Sequence, residues 1–275
     1  MLPFFSKRFT KNWAWLLLLS MACACAGNPY KSSNKLYRQQ AKALSKQMRG
    51  LPAMDSMQPP AYAVGTTNFG LRKPNFVIIH HTAQNSCEQT LKTFTNPPTQ
   101  VSAHYVICKD GTVHHMLNDY LRAWHGGAAR WGSSTDINSS SIGLEIDNNG
   151  FEAFTEEQIN SLLRLLALRK KQYNIPATNF IGHADIAPGR KVDPNRHFPW
   201  QQLAINGFGY WYDTTATIVP DNFNAMQALR IVGYNIQDSA AAVYAFKLHF
   251  VQSDSSYVIT DPDKKIIAEL LKKYQ

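Results

Sequence analysis

The most informative segment of this chain is residues 76–81, which read FVIIHH. Its first four residues are apolar and three of them are β-branched, which is typical of a strand buried on both faces. Such strands belong to sheets that are covered by helices, so the segment predicts an α/β protein. The two histidines follow at the end of the strand, where side chains reach the rim of a sheet.

The neighbouring sequence adds further strands and one long helix. Three short strands are predicted at 104–108, 112–116 and 141–146. Thr155 with Gln158 forms a capping-box pattern, and the helical spacing that follows it ends before Pro176. Strands that alternate with helices predict a mixed central β-sheet flanked by helices.

The pattern changes again near residue 214. Three short helices are predicted at 221–232, 238–250 and 261–274. Asp261 followed by Pro262 is a start signal, because aspartate accepts hydrogen bonds from the first turn and proline suits the first helical position. We therefore predict a small three-helix domain over 214–275 behind a larger domain over 70–213.

The first 25 residues have the organisation of an export signal. Basic residues precede an apolar run at 13–19, which is shorter than the roughly 20 residues that span a bilayer, and small residues follow it. This end resembles the cleavage box of bacterial lipoproteins. We expect lipidation at Cys25, with Cys23 as the alternative. Because Gly27 stands where an aspartate would signal retention in the inner membrane, we expect the periplasmic face of the outer membrane.

Residues 26–69 are interpreted as a basic linker, with a frayed helix over 36–48. The formal charge of +9 lies mostly in this linker and in the export signal, so the remaining chain is close to neutral. That distribution argues against a nucleic-acid partner. It favours an anionic surface near the linker, either lipid headgroups or wall polymer.

Two cysteines remain beyond the export signal, Cys87 and Cys108. Cysteines in an oxidising compartment can pair, but the sequence does not place their Cα atoms within bonding range. A disulfide and two separate thiols therefore both stay open.

Three features of the sequence suggest a metal site. His80 and His81 end a buried strand, and alternation sends them to opposite faces, so only one can point into a given site. His183 opens a loop rich in titratable groups, and Glu145 lies within an apolar strand, where a carboxylate is costly. Two imidazoles and one carboxylate suit a catalytic zinc ion, which keeps its fourth position for water.

Five motifs in chain order carry a resemblance to a known family. They are IHHTA at 79–83, SAHY at 102–105, AWHGG at 123–127, SIGLE at 141–145 and HADIAPGRKVDP at 183–194. Together they resemble the zinc-dependent N-acetylmuramoyl-L-alanine amidases, a family related to peptidoglycan recognition proteins. The resemblance covers 70–213. The chain is similar in particular to the outer-membrane lipoprotein branch, whose members end in a small wall-binding domain.

The resemblance implies a role for each matched residue. It makes His80, His183 and Asp193 the ligands of one catalytic Zn²⁺. It makes Glu145 the catalytic acid and base, and Lys191 the group that stabilises the transition state.

The other polar residues of the motifs are assigned to substrate or to structure. Trp124 and His125 are expected to line the substrate groove, with a packed structural role as the alternative for His125. His81 and His104 are interpreted as structural. Asp185 is interpreted as a hydrogen-bond acceptor that closes its loop, with the role of carboxylate ligand in place of Asp193 as the alternative. No functional assignment is made for His114, His115, His197 and His249.

The activity implied by the resemblance is hydrolysis of the amide bond between N-acetylmuramic acid, or its anhydro form, and the L-alanine of the peptidoglycan stem. The expected partners are peptidoglycan or muropeptides and, through the lipid anchor, a membrane; the chain is expected to be a monomer. One alternative is a recognition protein of the same fold that binds without cutting. Another is a cytoplasmic recycling amidase, which the export signal opposes.

The three-helix segment carries a second resemblance. Residues 228–229, 232–234 and 242–246 resemble a peptidoglycan-binding domain. Lys247 stands where that family usually has glutamine, which puts its sugar contacts in doubt. Binding of 214–275 to wall polymer is therefore a hypothesis.

Overall fold

The computed structural model describes residues 27–49 and 66–275, so Cys23, Cys25 and the rest of the export signal lie outside the described residues. The chain divides into two compact units, Met1–Asn68 and Phe69–Gln275. Among the helices of the described residues, none combines the length and the hydropathy that a membrane span requires.

The described part of the first unit is dominated by one helix, α1 (Lys31–Arg49), and none of the 19 residues of α1 is buried. The expected helix over 36–48 is confirmed, but it is longer than expected. Lysine, arginine, glutamine and alanine recur along this segment and all favour the helix, so it extends for a further turn or more at its amino end.

The second unit is built on a five-stranded sheet. Its strands are β1 (Phe76–His81), β2 (Tyr105–Ile107), β3 (Val113–His115), β4 (Ser141–Ile146) and β5 (Phe180–Gly182). They lie in the order β3-β2-β4-β1-β5, and all neighbours are parallel except β2 and β3. The mixed sheet is confirmed, and β1 lies between β4 and β5 as the burial of both its faces predicts.

Helices cover the sheet on both faces. The shorter ones are α2 (Cys87–Thr95), α3 (Ile137–Ser140), α5 (His183–Ile186) and α6 (Trp200–Ile205), and the longest helix of this unit is α4 (Glu156–Tyr173). The predicted capping box at Thr155 is confirmed, and α4 ends at a left-handed Asn174. Leu162 and Leu166 of α4 pack in one core with Val77 and Ile79 of β1.

The two cysteines left open by the sequence are paired. Cys87 and Cys108 form a disulfide with their Cα atoms 5.3 Å apart. It joins the first residue of α2 to the residue that follows β2.

Three helices complete the second unit: α7 (Ala225–Val232), α8 (Ser239–Phe250) and α9 (Asp261–Tyr274). The predicted cap at Asp261 was wrong, because Thr260 and Asp263 form a reciprocal capping box and Asp261 is already helical. The first of the three helices is also shorter than predicted, since the side chain of Asn224 caps it.

These three helices share a core with the sheet. Leu229, Phe246 and Ile267 belong to one buried cluster with Ile78 of β1 and Ile181 of β5. Because Ile78 and Val77 alternate along β1, this cluster lies on the face opposite to α4. The boundary between residues 213 and 214 stays a prediction, but residues 214–275 complete the packing of the second unit.

Lys247 lies inside the three-helix region and not on its surface. Its side chain is fully buried, and Nζ lies 3.0 Å from the Asp263 carboxylate, donates to Ser256 Oγ at 2.8 Å and bonds to the Asp254 carboxylate. The residue that departs from the family pattern is therefore an internal ion-pair partner.

Candidate metal centre

The predicted site residues gather at one end of the sheet. β1, β4 and β5 run parallel, so their carboxyl ends meet at the same edge, where open α/β sheets usually bind their ligands. His80 of β1 lies beside Glu145 of β4 in the strand register. His183 follows β5 directly, as the first residue of α5.

Three of these side chains converge on a common point. His80 Nδ1 lies 2.9 Å from His183 Nδ1, and each of these nitrogens lies 3.0 Å from Asp193 Oδ2. All three residues are buried. The two Nδ1 atoms and Asp193 Oδ2 thus form a triangle. Each of its sides is shorter than twice the roughly 2.0–2.1 Å length of a Zn–N bond, so one zinc ion can reach all three atoms.

The hydrogen bonds of His183 turn its unprotonated nitrogen towards this triangle. His183 Nε2 lies 3.1 Å from the carbonyl oxygen of Gly126, which can only accept. The proton is therefore on Nε2, and Nδ1 offers a lone pair. Arg190 donates to the same carbonyl oxygen at 2.6 Å and holds it in place.

A chain of hydrogen bonds also turns the unprotonated nitrogen of His80 towards the triangle. The hydroxyl of Ser141 donates to the carbonyl oxygen of Ile137 at 2.6 Å, so Ser141 Oγ accepts from His125 Nε2 at 3.0 Å. His125 Nδ1 then accepts from His80 Nε2 at 3.0 Å. This assignment leaves His80 Nδ1 unprotonated, with its lone pair directed at the triangle.

Gly143 makes room for this arrangement. A Cβ atom at this position of β4 would lie 2.3 Å from the ring of His125. The glycine of the SIGLE motif therefore lets the His125 ring lie against the strand and reach His80.

This donor set fits a zinc ion. Two neutral imidazole nitrogens and one carboxylate oxygen suit Zn²⁺, and three facing acceptors need a cation between them. One other group of potential ligands lies close together in the described residues, Cys87, Cys108 and His114, but its two sulfurs are joined in the disulfide.

The ionisation of His80 and Asp193 suits metal binding. Burial, followed by the charge of His183, lowers the pKa of His80 to about 4, so this imidazole is neutral at pH 7. Burial alone would raise the pKa of Asp193, but the adjacent imidazoles of His183 and His80 outweigh it and hold that pKa far below its usual value. A neutral histidine and an ionised aspartate are the forms that bind metals.

Glu145 has the properties of a proton carrier. Burial, followed by repulsion from Asp193, raises the pKa of Glu145 well above its usual value. The charge of Lys191 acts in the opposite direction, and Lys191 also lowers the pKa of His80. The half-buried Lys191 therefore lies close enough to influence both groups.

The AWHGG motif contributes two different side chains. His125 is half-buried and in direct contact with His80. It therefore has the packed structural role that the sequence left open as the alternative. Trp124 is 51% exposed beside it and is available to a ligand.

The residues interpreted as structural have structural contacts. His81 points to the other face of the sheet, and its Nδ1 accepts from the backbone N–H of Asn195. His104 accepts from the backbone N–H of Gly143 and lies 3.0 Å from the carbonyl oxygen of Leu121.

The sequence did not indicate two further contacts to this site. Asp185 closes its loop by accepting from Gly182, as expected, but its carboxylate also bonds to Tyr234 and His249. The one available signal was that His249, like Lys247, is a titratable residue in the mostly apolar sequence of α8. Nothing in that pattern points to Asp185, which is 64 residues away.

Comparisons with known proteins agree with this geometry. Residues 70–196 match the family model described as N-acetylmuramoyl-L-alanine amidase. The chain is 32% identical to N-acetylmuramoyl-L-alanine amidase AmiD of Escherichia coli over 231 residues, which covers 72% of this chain and 82% of the relative.

Two solved structures are similar over most of the chain. The complex of E. coli AmiD with anhydro-N-acetylmuramic acid-L-Ala-D-γ-Glu-L-Lys has 26% identity and a TM-score of 0.67, and covers 82% of this chain and 98% of that one. AmpDh3 from Pseudomonas aeruginosa has 27% identity and a TM-score of 0.68, and covers 80% of this chain and 99% of that one.

Proposed function

This chain belongs to the N-acetylmuramoyl-L-alanine amidase family, and we propose that it works with one zinc ion held by His80, His183 and Asp193. It is a hydrolase that cuts the amide bond between N-acetylmuramic acid, or its anhydro form, and the L-alanine of the peptidoglycan stem peptide. The observation that carries the zinc proposal is the triangle of facing acceptor atoms, 2.9–3.0 Å on each side.

The residues around the triangle account for the steps of hydrolysis. A bound zinc ion supplies Lewis acidity, which polarises the scissile carbonyl and lowers the pKa of water. Glu145 takes a proton from the attacking water as its oxygen bonds to the lactyl carbonyl carbon. Glu145 then passes that proton to the nitrogen of L-alanine as the C–N bond breaks, and Lys191 stabilises the negative charge that develops on the carbonyl oxygen.

The raised pKa of Glu145 suits this double role. Because its pKa lies above the ordinary value, Glu145 holds a proton more readily, so it can accept one from the water and release it to the leaving amine. Trp124 supplies an exposed aromatic surface beside the ligands for the muropeptide, and His125 borders the same groove while it orients His80.

Metal removal and return test the proposal. We expect the purified chain to release free stem peptide from an anhydro-muropeptide, to stop after treatment with a chelator, and to recover with Zn²⁺ but not with Mg²⁺. Mass spectrometry identifies a peptide that begins with L-alanine. Cleavage that is unaffected by complete zinc removal would refute the zinc proposal, and no cleavage in any state would favour a binding-only protein.

We also propose that the chain is a monomer, anchored by a lipid on Cys25, or alternatively Cys23, to the periplasmic face of the outer membrane. The basic and wholly unburied α1 supports a position near an anionic surface. Replacement of Cys25 by alanine should move the protein from the membrane fraction to the soluble fraction; if only Cys23→Ala does so, the alternative is correct.

Wall binding by residues 214–275 is a further part of this proposal. It is supported by the resemblance of the three helices to a peptidoglycan-binding domain. We expect the full chain carrying Glu145→Gln to sediment with purified sacculi, and substitutions on the exposed faces of these helices to weaken that sedimentation. Full sedimentation with all such variants would argue against the proposal.

A further inference from the structure

The loop that supplies two of the three metal ligands is tied to the C-terminal helices by one buried carboxylate. Asp185 follows His183 by two residues in α5. Its Oδ2 accepts from the backbone N–H of Gly182 at 2.7 Å and bonds to His249 Nδ1 at 2.7 Å. Its Oδ1 accepts from the hydroxyl of Tyr234 at 2.7 Å.

The two distant partners of Asp185 are held rigidly. His249 of α8 is 5% exposed, and its ring stacks on Trp200 with the ring centroids 3.8 Å apart. Tyr234 is 2% exposed and packs edge-on against Trp131 at 5.0 Å.

Gly233 brings the Tyr234 segment against the body of the unit. It adopts φ +137°, and a Cβ there would lie 2.4 Å from the Trp131 ring, so glycine is needed on both counts. Its carbonyl oxygen also accepts from the backbone N–H of Gly132 at 2.8 Å. The Tyr234 hydroxyl is thereby fixed relative to the segment that leads from the AWHGG motif.

The metal loop packs against α8 at a second point. A Cβ at Gly189, in the middle of the loop, would lie 3.1 Å from Ala241 of α8. Within the loop, the backbone N–H of Ala184 donates to the carbonyl oxygen of Asp193 at 2.8 Å. This bond links the ligand Asp193 to the residue between His183 and Asp185, so a shift of α5 moves both ligands.

We propose that Tyr234 and His249 are positioning residues for the metal ligands, so that the C-terminal helices set the zinc affinity of the site. The inference rests on the proposed zinc function. Both oxygens of Asp185 are used by donors that are themselves buried, and a buried carboxylate that loses one donor must find another partner. The nearest way to do so is a movement of α5, which carries His183 out of the triangle.

The test measures the zinc dissociation constant of the full chain by competition with a chromogenic chelator. Tyr234→Phe removes only the hydroxyl, and His249→Phe keeps an aromatic ring against Trp200 but removes the donor. We expect each variant to raise the zinc dissociation constant on the order of 10-fold, as is typical when groups that support metal ligands are lost.

Two further variants separate positioning from general packing. Tyr244→Phe is the matched control, because Tyr244 also lies on α8 but stacks on Tyr257 instead of contacting Asp185. It should bind zinc like the parent chain. His249→Asn replaces the ring by an amide that can donate from nearly the same position, and it should recover most of the affinity that His249→Phe loses.

The kinetics provide a second readout. On a free muropeptide, kcat of Tyr234→Phe and His249→Phe should fall at limiting zinc and recover at saturating zinc, with KM unchanged. If both variants are folded by circular dichroism and bind zinc with the parental dissociation constant, the inference is overturned, even if their Tm is lower. If the parent chain itself binds no zinc, the proposed function fails instead.

Discussion

Two buried clusters of titratable side chains lie in the same unit and differ in how their hydrogen-bonding and charge requirements are satisfied. In the C-terminal helical region, the ammonium group of Lys247 forms ion pairs with the carboxylates of Asp263 and Asp254. At the end of the sheet, His80, His183 and Asp193 turn acceptor atoms towards one another. The first cluster contains its own cation, and the second does not.

The difference shows how a structural ion pair can be told from a metal site. Both clusters hold carboxylates that are buried or partly buried, so burial does not separate them. What separates them is the protonation that the surroundings impose, since the carbonyl oxygen of Gly126 fixes the proton of His183 on the nitrogen that faces away from the triangle. Acceptors that are held facing each other require a cation.

The largest effect is expected at Glu145, the proposed proton carrier beside the second cluster. Glu145→Gln should lower kcat by about 1,000-fold, because the amide cannot take up or release the proton, while zinc binding is retained. Release of stem peptide and zinc content measure the two properties. Glu156→Gln, on exposed surface at the start of α4, is the control. Activity close to that of the parent chain would remove Glu145 from the mechanism.

The contrast between the two clusters is tested by removing the negative charge from the cluster at the end of the sheet. Asp193→Asn should weaken zinc binding by at least about 100-fold, since the one anionic ligand is lost. Zinc should then no longer raise the Tm, although the Tm of the metal-free protein changes little. Asp213→Asn, at an exposed position, should keep the full zinc-dependent rise. A preserved rise in Asp193→Asn would mean that the metal binds elsewhere.

Removal of the cation from the other cluster should act on stability alone. Lys247→Met leaves the buried Asp263 without its partner and should lower the free energy of unfolding by about 3 kcal/mol, measured in urea. The zinc dissociation constant should stay the same. Lys264→Met, which breaks an exposed pair with Asp261, should lower the free energy of unfolding far less. Equal costs for the two variants would contradict the description of Lys247 as an internal ion pair.

The smallest effect concerns a histidine that is fully satisfied without a metal. Burial lowers the pKa of His104 to about 4 from an ordinary value of 6.5, so the unfolded chain binds the extra proton first. The stability supplied by His104 is therefore complete above pH 6.5 and is lost as the pH falls towards 4.

Urea unfolding of the metal-free protein at pH 7 and pH 5 tests this behaviour. The pH-dependent loss of unfolding free energy should be smaller in His104→Gln than in the parent chain by about 1–2 kcal/mol. The other buried histidines contribute to both proteins and cancel. His197→Gln, at an exposed position, should show the parental loss. An equal loss in His104→Gln would mean that this ring does not stay neutral in the folded chain.

Local pattern was enough to predict some of the elements around the site, but not β5 or the short helix α5 that carries His183. The apolar run before His80 predicts the central strand, because burial on both faces excludes polar residues from it. The capping box at Thr155 predicts the start of α4, because it is satisfied by atoms three residues apart. The motif resemblance then named His80, His183 and Asp193, the three residues whose donor atoms the structure brings together.

The remaining features depend on contacts between distant parts of the chain. The Cys87–Cys108 bond, the hydrogen-bond chain from His80 to Ser141 and the position of Lys247 all require atoms whose distance the sequence does not specify. Asp185 is the clearest example, since its loop-closing bond to Gly182 is local and was expected, whereas its bonds to Tyr234 and His249 arise only when α8 packs against the sheet. Periodicity records which face of an element is buried, and the packing of the core decides what that face meets.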